Sequence, residues 1–199
     1  MRKLIALVTL VSVMNLNGQL IVDDFKTGKL TNTVFELGES DLMYQTGNSI
    51  IGKTRQIHAK VNQNSFGQNF QVAVKNSKLV ISATYDTRGT VYVGYGKDKN
   101  NKAAPTNLDI SSYKNLKIEY DGKSTVNGIH VALFTGTSRA TYGEHVEAKE
   151  GKITFTIPLK DLEKIGPKYT LNDIDFIRFQ FDSRSKTGCN MAINKIWFE

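Results

Sequence analysis

The chain has 199 residues, 40% of them hydrophobic and 23% charged, with a formal net charge of +7 and a single cysteine. One cysteine excludes an intramolecular disulfide, and this much apolar content excludes wholesale disorder, so the fold must rest on packing. The 26 lysines and arginines are scattered with no cluster of four, unlike the basic stripe of a nucleic-acid binder, which leaves attraction to acidic polysaccharide or an anionic cell surface open.

The chain opens with MRKLIALVTLVSVMNLNG, in which Arg2 and Lys3 precede an apolar run from Leu4 to Met14 and then small and polar residues. This is the layout of a secretory signal peptide, and the run is too short to span a bilayer comfortably. We expect cleavage after Gly18, with Leu16 and Gly18 at the positions signal peptidase reads. No cysteine lies there to carry a lipid. The expectation is a secreted or periplasmic bacterial protein without a membrane span. Residues 1–18 form its leader, and 19–199 form one monomeric domain long enough to bury a proper core.

From Gln19 onward apolar and polar residues alternate, the period of a strand. LIVDDF (20–25) opens the series and a strand is expected around Val34 to Leu37. The polar, weakly patterned segment 31–65 is expected to hold long loops, although RQIHAKV (55–61) within it sets Ile57, Ala59 and Val61 against Gln56, His58 and Lys60. NFQVAVK (69–75), KLVISATY (78–85), GTVYVGYG (89–96), LKIEYDG (116–122), NGIHVALFTG (127–136), KITFTIPL (152–159), DFIRFQFD (175–182) and MAINKIWFE (191–199) follow. Turn formers separate them, among them Asn76-Ser77, Asp121-Gly122, Asn127-Gly128 and Thr187-Gly188. PLKDLEKIG, after Ile157, reads as one short helical turn. About ten or eleven short strands without helical crossovers predict an all-β fold, an antiparallel two-sheet β-sandwich. Cys189 reads as a small apolar residue near a strand start.

LIVDDF, LDISSYKNLKIEYDG, ITFTIPLKDL, LNDIDFIRFQF and AINKIWFE occur in the order found in galactose-binding-like jelly rolls. The chain resembles that superfamily, in particular its non-catalytic carbohydrate-binding modules and the complex I intermediate-associated protein domain. The resemblance implies a jelly-roll sandwich and a polysaccharide or oligosaccharide as partner. It also implies a structural calcium ion near the first and last strands, for which Asp23, Asp24 and Asn194 are the candidates. Two positions depart from the pattern: Lys26 stands where glutamate is frequent, and Asn194 where aspartate is common. Hard cations want six to eight oxygens, several of them carboxylate.

Catalytic signatures are missing from the sequence: there is no G-x-S-x-G elbow, no H-E-x-x-H, no C-x-x-C and no P-loop. Glu144-His145-Val146-Glu147 matches no metal spacing and reads as a solvated loop edge. Glu119, Asp121, Glu147 and Asp182 offer carboxyl groups for glycoside cleavage, but the sequence does not pair them. Sugar binding asks instead for aromatic faces and planar polar side chains. Opposite the core-facing residues, DFIRFQFD carries Arg178 and Gln180, GIHVALF carries His130, and TVYVGYG carries Tyr92. If those strands adjoin, the four form one ligand-binding patch on a concave sheet. The rival readings are a polysaccharide lyase or hydrolase using the same face, and an adhesive surface protein. Trp197 reads as packing under the N-terminal strand, with Tyr85, Tyr95 and Tyr142 as reserve aromatics.

Overall fold

A computed structural model describes residues 18–63, 70–84, 87–122, 126–147, 150–183 and 189–199. Residues 1–17 of the leader, Tyr85 and the Thr187-Gly188 turn lie outside the described residues. Two antiparallel sheets face each other across one core. The first sheet runs β11 (Lys152–Pro158), β8 (Asn115–Gly122), β14 (Cys189–Phe198), β6 (Lys78–Ala83), β5 (Phe70–Lys75) and β2 (Leu30–Phe35), and β1 (Leu20–Asp23) also pairs with β14. The second runs β12 (Glu163–Ile165), β10 (Ser138–Glu147), β9 (Val126–Thr135), β13 (Phe176–Ser183), β7 (Arg88–Tyr95), β4 (Thr54–Gln63) and β3 (Ser40–Thr46). This is the antiparallel two-sheet sandwich that the alternation predicts.

Alternation decides which side chain meets the core. On β13, Ile177, Phe179 and Phe181 are buried to within 2% while Arg178 is exposed. Phe179 stacks near Phe181 at 6.4 Å and meets the edge of Tyr95 at 6.2 Å. The β5–β6 hairpin closes on Asn76 and Ser77, both at positive φ (52° and 57°), the two-residue turn whose twist matches that of the strands. Cys189 is buried as the first residue of β14. Trp197 is 7% exposed, opposite Ile21 of β1, and its indole N–H donates to Glu199 at 3.0 Å.

Three expectations change. Fourteen strands appear among the described residues, and β3, β10 and β12 are the ones the alternation did not reveal. β3 and β12 are sheet edges that bury little, so no apolar stripe marks them. Segment 31–65 is therefore mostly strand. The longest connection between described strands is 96–114, joining β7 to β8. Glu144 to Glu147 lie on β10 rather than on a loop edge. The helical turn after Pro158 is a single 3-10 turn, Leu159–Asp161, and the EKI that follows is β12.

At one end the sheets are joined by a buried ion pair. Arg55 of β4 and Asp23 of β1 are both 0% exposed, with Nη1 at 2.6 Å from Asp23 Oδ2. Arg55 also donates to Gln45 Oε1 at 2.9 Å through Nε and to the Thr27 carbonyl at 2.8 Å, and its guanidinium lies 4.8 Å from the Phe25 ring centroid. Asp23 accepts from the Phe25 amide and the Tyr95 hydroxyl, each at 2.8 Å. Burial, then the neighbouring Asp23 carboxylate, holds the Tyr95 hydroxyl protonated well above the ordinary tyrosine range.

Gly89 shows how closely the sheets approach elsewhere. A Cβ there would sit 2.4 Å from the Phe70 ring on the facing sheet. Gly89→Ala is expected to lower stability by about 1–3 kcal/mol, the cost of overpacking a tight core, read as a reduced urea midpoint.

Candidate functional site

The outer face of the second sheet is ordered by cross-strand register. Gln180 of β13 lies opposite His130 of β9 on one side and Tyr92 of β7 on the other. Tyr92 lies opposite His58 of β4, and His58 opposite Leu42 of β3. These residues form one row perpendicular to the strands. The next row holds Ala132, Arg178, Gly94, Gln56 and Tyr44, and beyond it Phe176 pairs with Phe134. The four residues singled out in the sequence, Tyr92, His130, Arg178 and Gln180, thus share one face on three adjoining strands.

A hollow of about 670 Å³ opens over this face between β13 and β3. Its floor is Gly94, whose missing side chain leaves room between Arg178 and Gln56. Tyr92 stacks on His58 with centroids 5.8 Å apart and planes 27° apart. The Arg178 guanidinium carbon sits 5.8 Å from the Tyr92 centroid and 5.6 Å from that of Phe134, so two aromatic faces hold it in place. Gln56 donates its amide to the Tyr44 hydroxyl and to Asn101 Oδ1, both at 3.1 Å, and Lys97 donates to the same Asn101 oxygen at 2.9 Å.

Lys97 and Asn101 come from the β7–β8 connection. There Asp98 Oδ1 accepts the amides of Asn100 at 2.8 Å and Lys102 at 2.9 Å, and these bonds, the Lys102 one foremost, hold the Asp98 carboxyl below its usual range. The turn is thereby fixed as a presenting hairpin.

A second hollow of about 190 Å³ lies on the other side of Arg178 and Gln180, lined also by His130, Thr141 and Gly143. Gly143 is opposite His130, and a Cβ there would fall 2.3 Å from His130 Nδ1; the glycine is what lets the imidazole lie across β10. Two residues along β13 from Gln180, Asp182 is 5% exposed and accepts from Thr90 Oγ1 at 2.8 Å and from Gln180 Nε2 at 3.1 and 3.0 Å. That fixes the Gln180 amide and leaves its carbonyl as an acceptor. His130 Nε2 stands 3.3 Å from Asp182 Oδ2, within ion-pair reach but not aligned for a hydrogen bond.

Sequence reasoning missed Gln56, His58, Leu42, Phe134, Phe176, Lys97 and Asn101. Gln56 and His58 were visible as the polar half of RQIHAKV, and Phe176 as the even-numbered start of the β13 row. Lys97 and Asn101 carried no such signal, because a loop has no period.

The candidate metal ligands do not fit a hard divalent cation. An arginine cation already occupies the place beside Asp23, whose oxygens also take the Phe25 and Tyr95 donors. Asp24 pairs with Lys26 at 3.0 Å, and Asn194 gives its amide to Asp121 at 3.3 Å. Among the described residues no three His, Cys, Asp or Glu side chains gather as ligands. Nor is any described helix long and apolar enough to cross a membrane.

No protein-family model and no curated protein sequence matches the chain. Among solved structures it is similar to a family 11 carbohydrate-binding module of a cellulosomal cellulase of Clostridium thermocellum, at 15% identity over 91% of this chain and 94% of that one, with a TM-score of 0.46. It is similar to a family 30 module of another cellulosomal cellulase of that organism, at 14% identity over 90% and 97%, with a TM-score of 0.48. It is also similar to an agarase, at 11% identity over 91% of this chain and 24% of that one, with a TM-score of 0.48.

Proposed function

We propose that this protein is a secreted, monomeric, non-catalytic glycan-binding domain that captures a polysaccharide across the outer face of its second sheet. One observation carries the reading: the transverse row of Leu42, His58, Tyr92, Gln180 and His130, flanked by Arg178 and Gln56, combines an aromatic surface with oriented planar donors and acceptors. Pyranose rings present an apolar face and a rim of paired hydroxyls, and this row answers both. Strands about 4.8 Å apart give a path of roughly 24 Å from β3 to β10, room for several consecutive sugar units. Hydroxyls exchange water contacts for protein contacts at little net gain, so each unit adds little and the affinity is modest.

Affinity electrophoresis against a panel of soluble polysaccharides tests the proposal. Retardation without release of reducing ends or unsaturated products is the expected result; turnover would make the protein an enzyme. Tyr92→Ala is expected to weaken retention about tenfold, the loss of one stacking surface, with an unchanged melting temperature. Undiminished retention by both Tyr92→Ala and Arg178→Ala moves the site elsewhere. N-terminal sequencing of the exported protein checks processing after Gly18.

A further inference from the structure

Four surface lysines sit against carboxylates: Lys26 pairs with Asp24, Lys78 with Asp121, Lys117 with Glu199 and Lys152 with Glu119. The hollow between β13 and β3 is different. It is lined by Arg178 and Lys97 and by no aspartate or glutamate. Among the described residues no carboxylate pairs with either cation. Lys97 is held by the Asn101 side-chain carbonyl, and Arg178 by the faces of Tyr92 and Phe134. Asp182, on the same face, is nearly buried and already accepts from Thr90 and Gln180. Glu163, opposite Thr141, stands away at the edge strand β12.

We infer that the hollow takes an acidic polysaccharide, with an anionic ring substituent, carboxylate or sulfate, seated on Arg178 and Lys97; this rests on the glycan-binding reading above. A guanidinium resting beside two aromatic rings leaves its N–H donors to meet a planar carboxylate in paired bonds. A neutral chain laid over two uncompensated cations strips water from them and returns only hydroxyl contacts, whereas an anionic chain compensates them. The two charges also steer a polyanion toward the face before contact.

Titration calorimetry of the whole domain against polygalacturonate, a sulfated galactan and a neutral β-glucan distinguishes the possibilities. At least one polyanion is expected to bind about tenfold more tightly than the neutral chain at low salt, with the preference shrinking as salt screens it. Preference for polygalacturonate identifies carboxylate as the seated group, and preference for the galactan identifies sulfate. Arg178→Gln is expected to lower polyanion binding about tenfold and Lys97→Gln severalfold, with unchanged melting; Lys75→Gln, on the first sheet, leaves it as it was. Equal binding of neutral and acidic chains, unaffected by Arg178→Gln, overturns the charge preference while the glycan-binding reading stands. An equal loss in Lys75→Gln also overturns it, since net charge alone would then be responsible. Binding of none of the three overturns both readings.

Discussion

Asp23→Ala is expected to destabilise the domain by about 3–5 kcal/mol, because it strands the Arg55 guanidinium without its counter-charge in a site closed to water. Both partners are 0% exposed, so neither can turn to solvent for compensation. Arg55 would keep Gln45 and the Thr27 carbonyl, which are dipoles rather than a charge. The Tyr95 hydroxyl would lose its acceptor in the same step. Removing both charges, as in Asp23→Leu with Arg55→Met, is expected to cost less than either single change, since a buried pair can be exchanged for apolar packing more cheaply than it can be halved. Urea unfolding of the two singles and the double measures this cycle. Single-variant losses below about 1 kcal/mol would show that water reaches the pair.

Gly94→Leu is expected to abolish detectable glycan binding while leaving the melting temperature nearly unchanged. Gly94 is the floor of the larger hollow, and a Cβ there meets first the flexible end of Gln56 at 3.3 Å, which can swing aside. An isobutyl group would fill the space between Arg178 and Gln56 where a sugar ring is to lie. Gly96, two residues on, is the contrasting case. Its φ is +104° and an added Cβ would stand 2.4 Å from the Asp175 carbonyl, so Gly96→Ala strains the backbone itself. Binding lost with stability kept at position 94, and stability lost at 96, together separate the site from its scaffold. Binding retained by Gly94→Leu would place the ligand off this hollow.

The face was legible wherever a strand is half buried. On β13 and β9 the core claims every second residue, so the alternation itself exposes Arg178, Gln180 and His130 as outward. It was illegible where a strand buries little: β3 at the sheet edge and β10 next to the edge strand β12 give Leu42 and Gly143 no pattern to betray their place. Asp23 illustrates a different limit. An acidic pair at a strand end looks like a cation ligand until Arg55, 32 residues away, is seen to fill the position. Charge compensation is set by contact in space, and local spacing does not report it.

β14 lies between β6 and β8 and also carries β1. Until residues 189–198 leave the ribosome, the first sheet exists as two fragments, β2-β5-β6 and β8-β11, with no described strand to join them. Assembly of that half of the sandwich waits on β14, and non-local closure of this kind is slow. The first sheet therefore stays open for longer than one built from neighbouring hairpins.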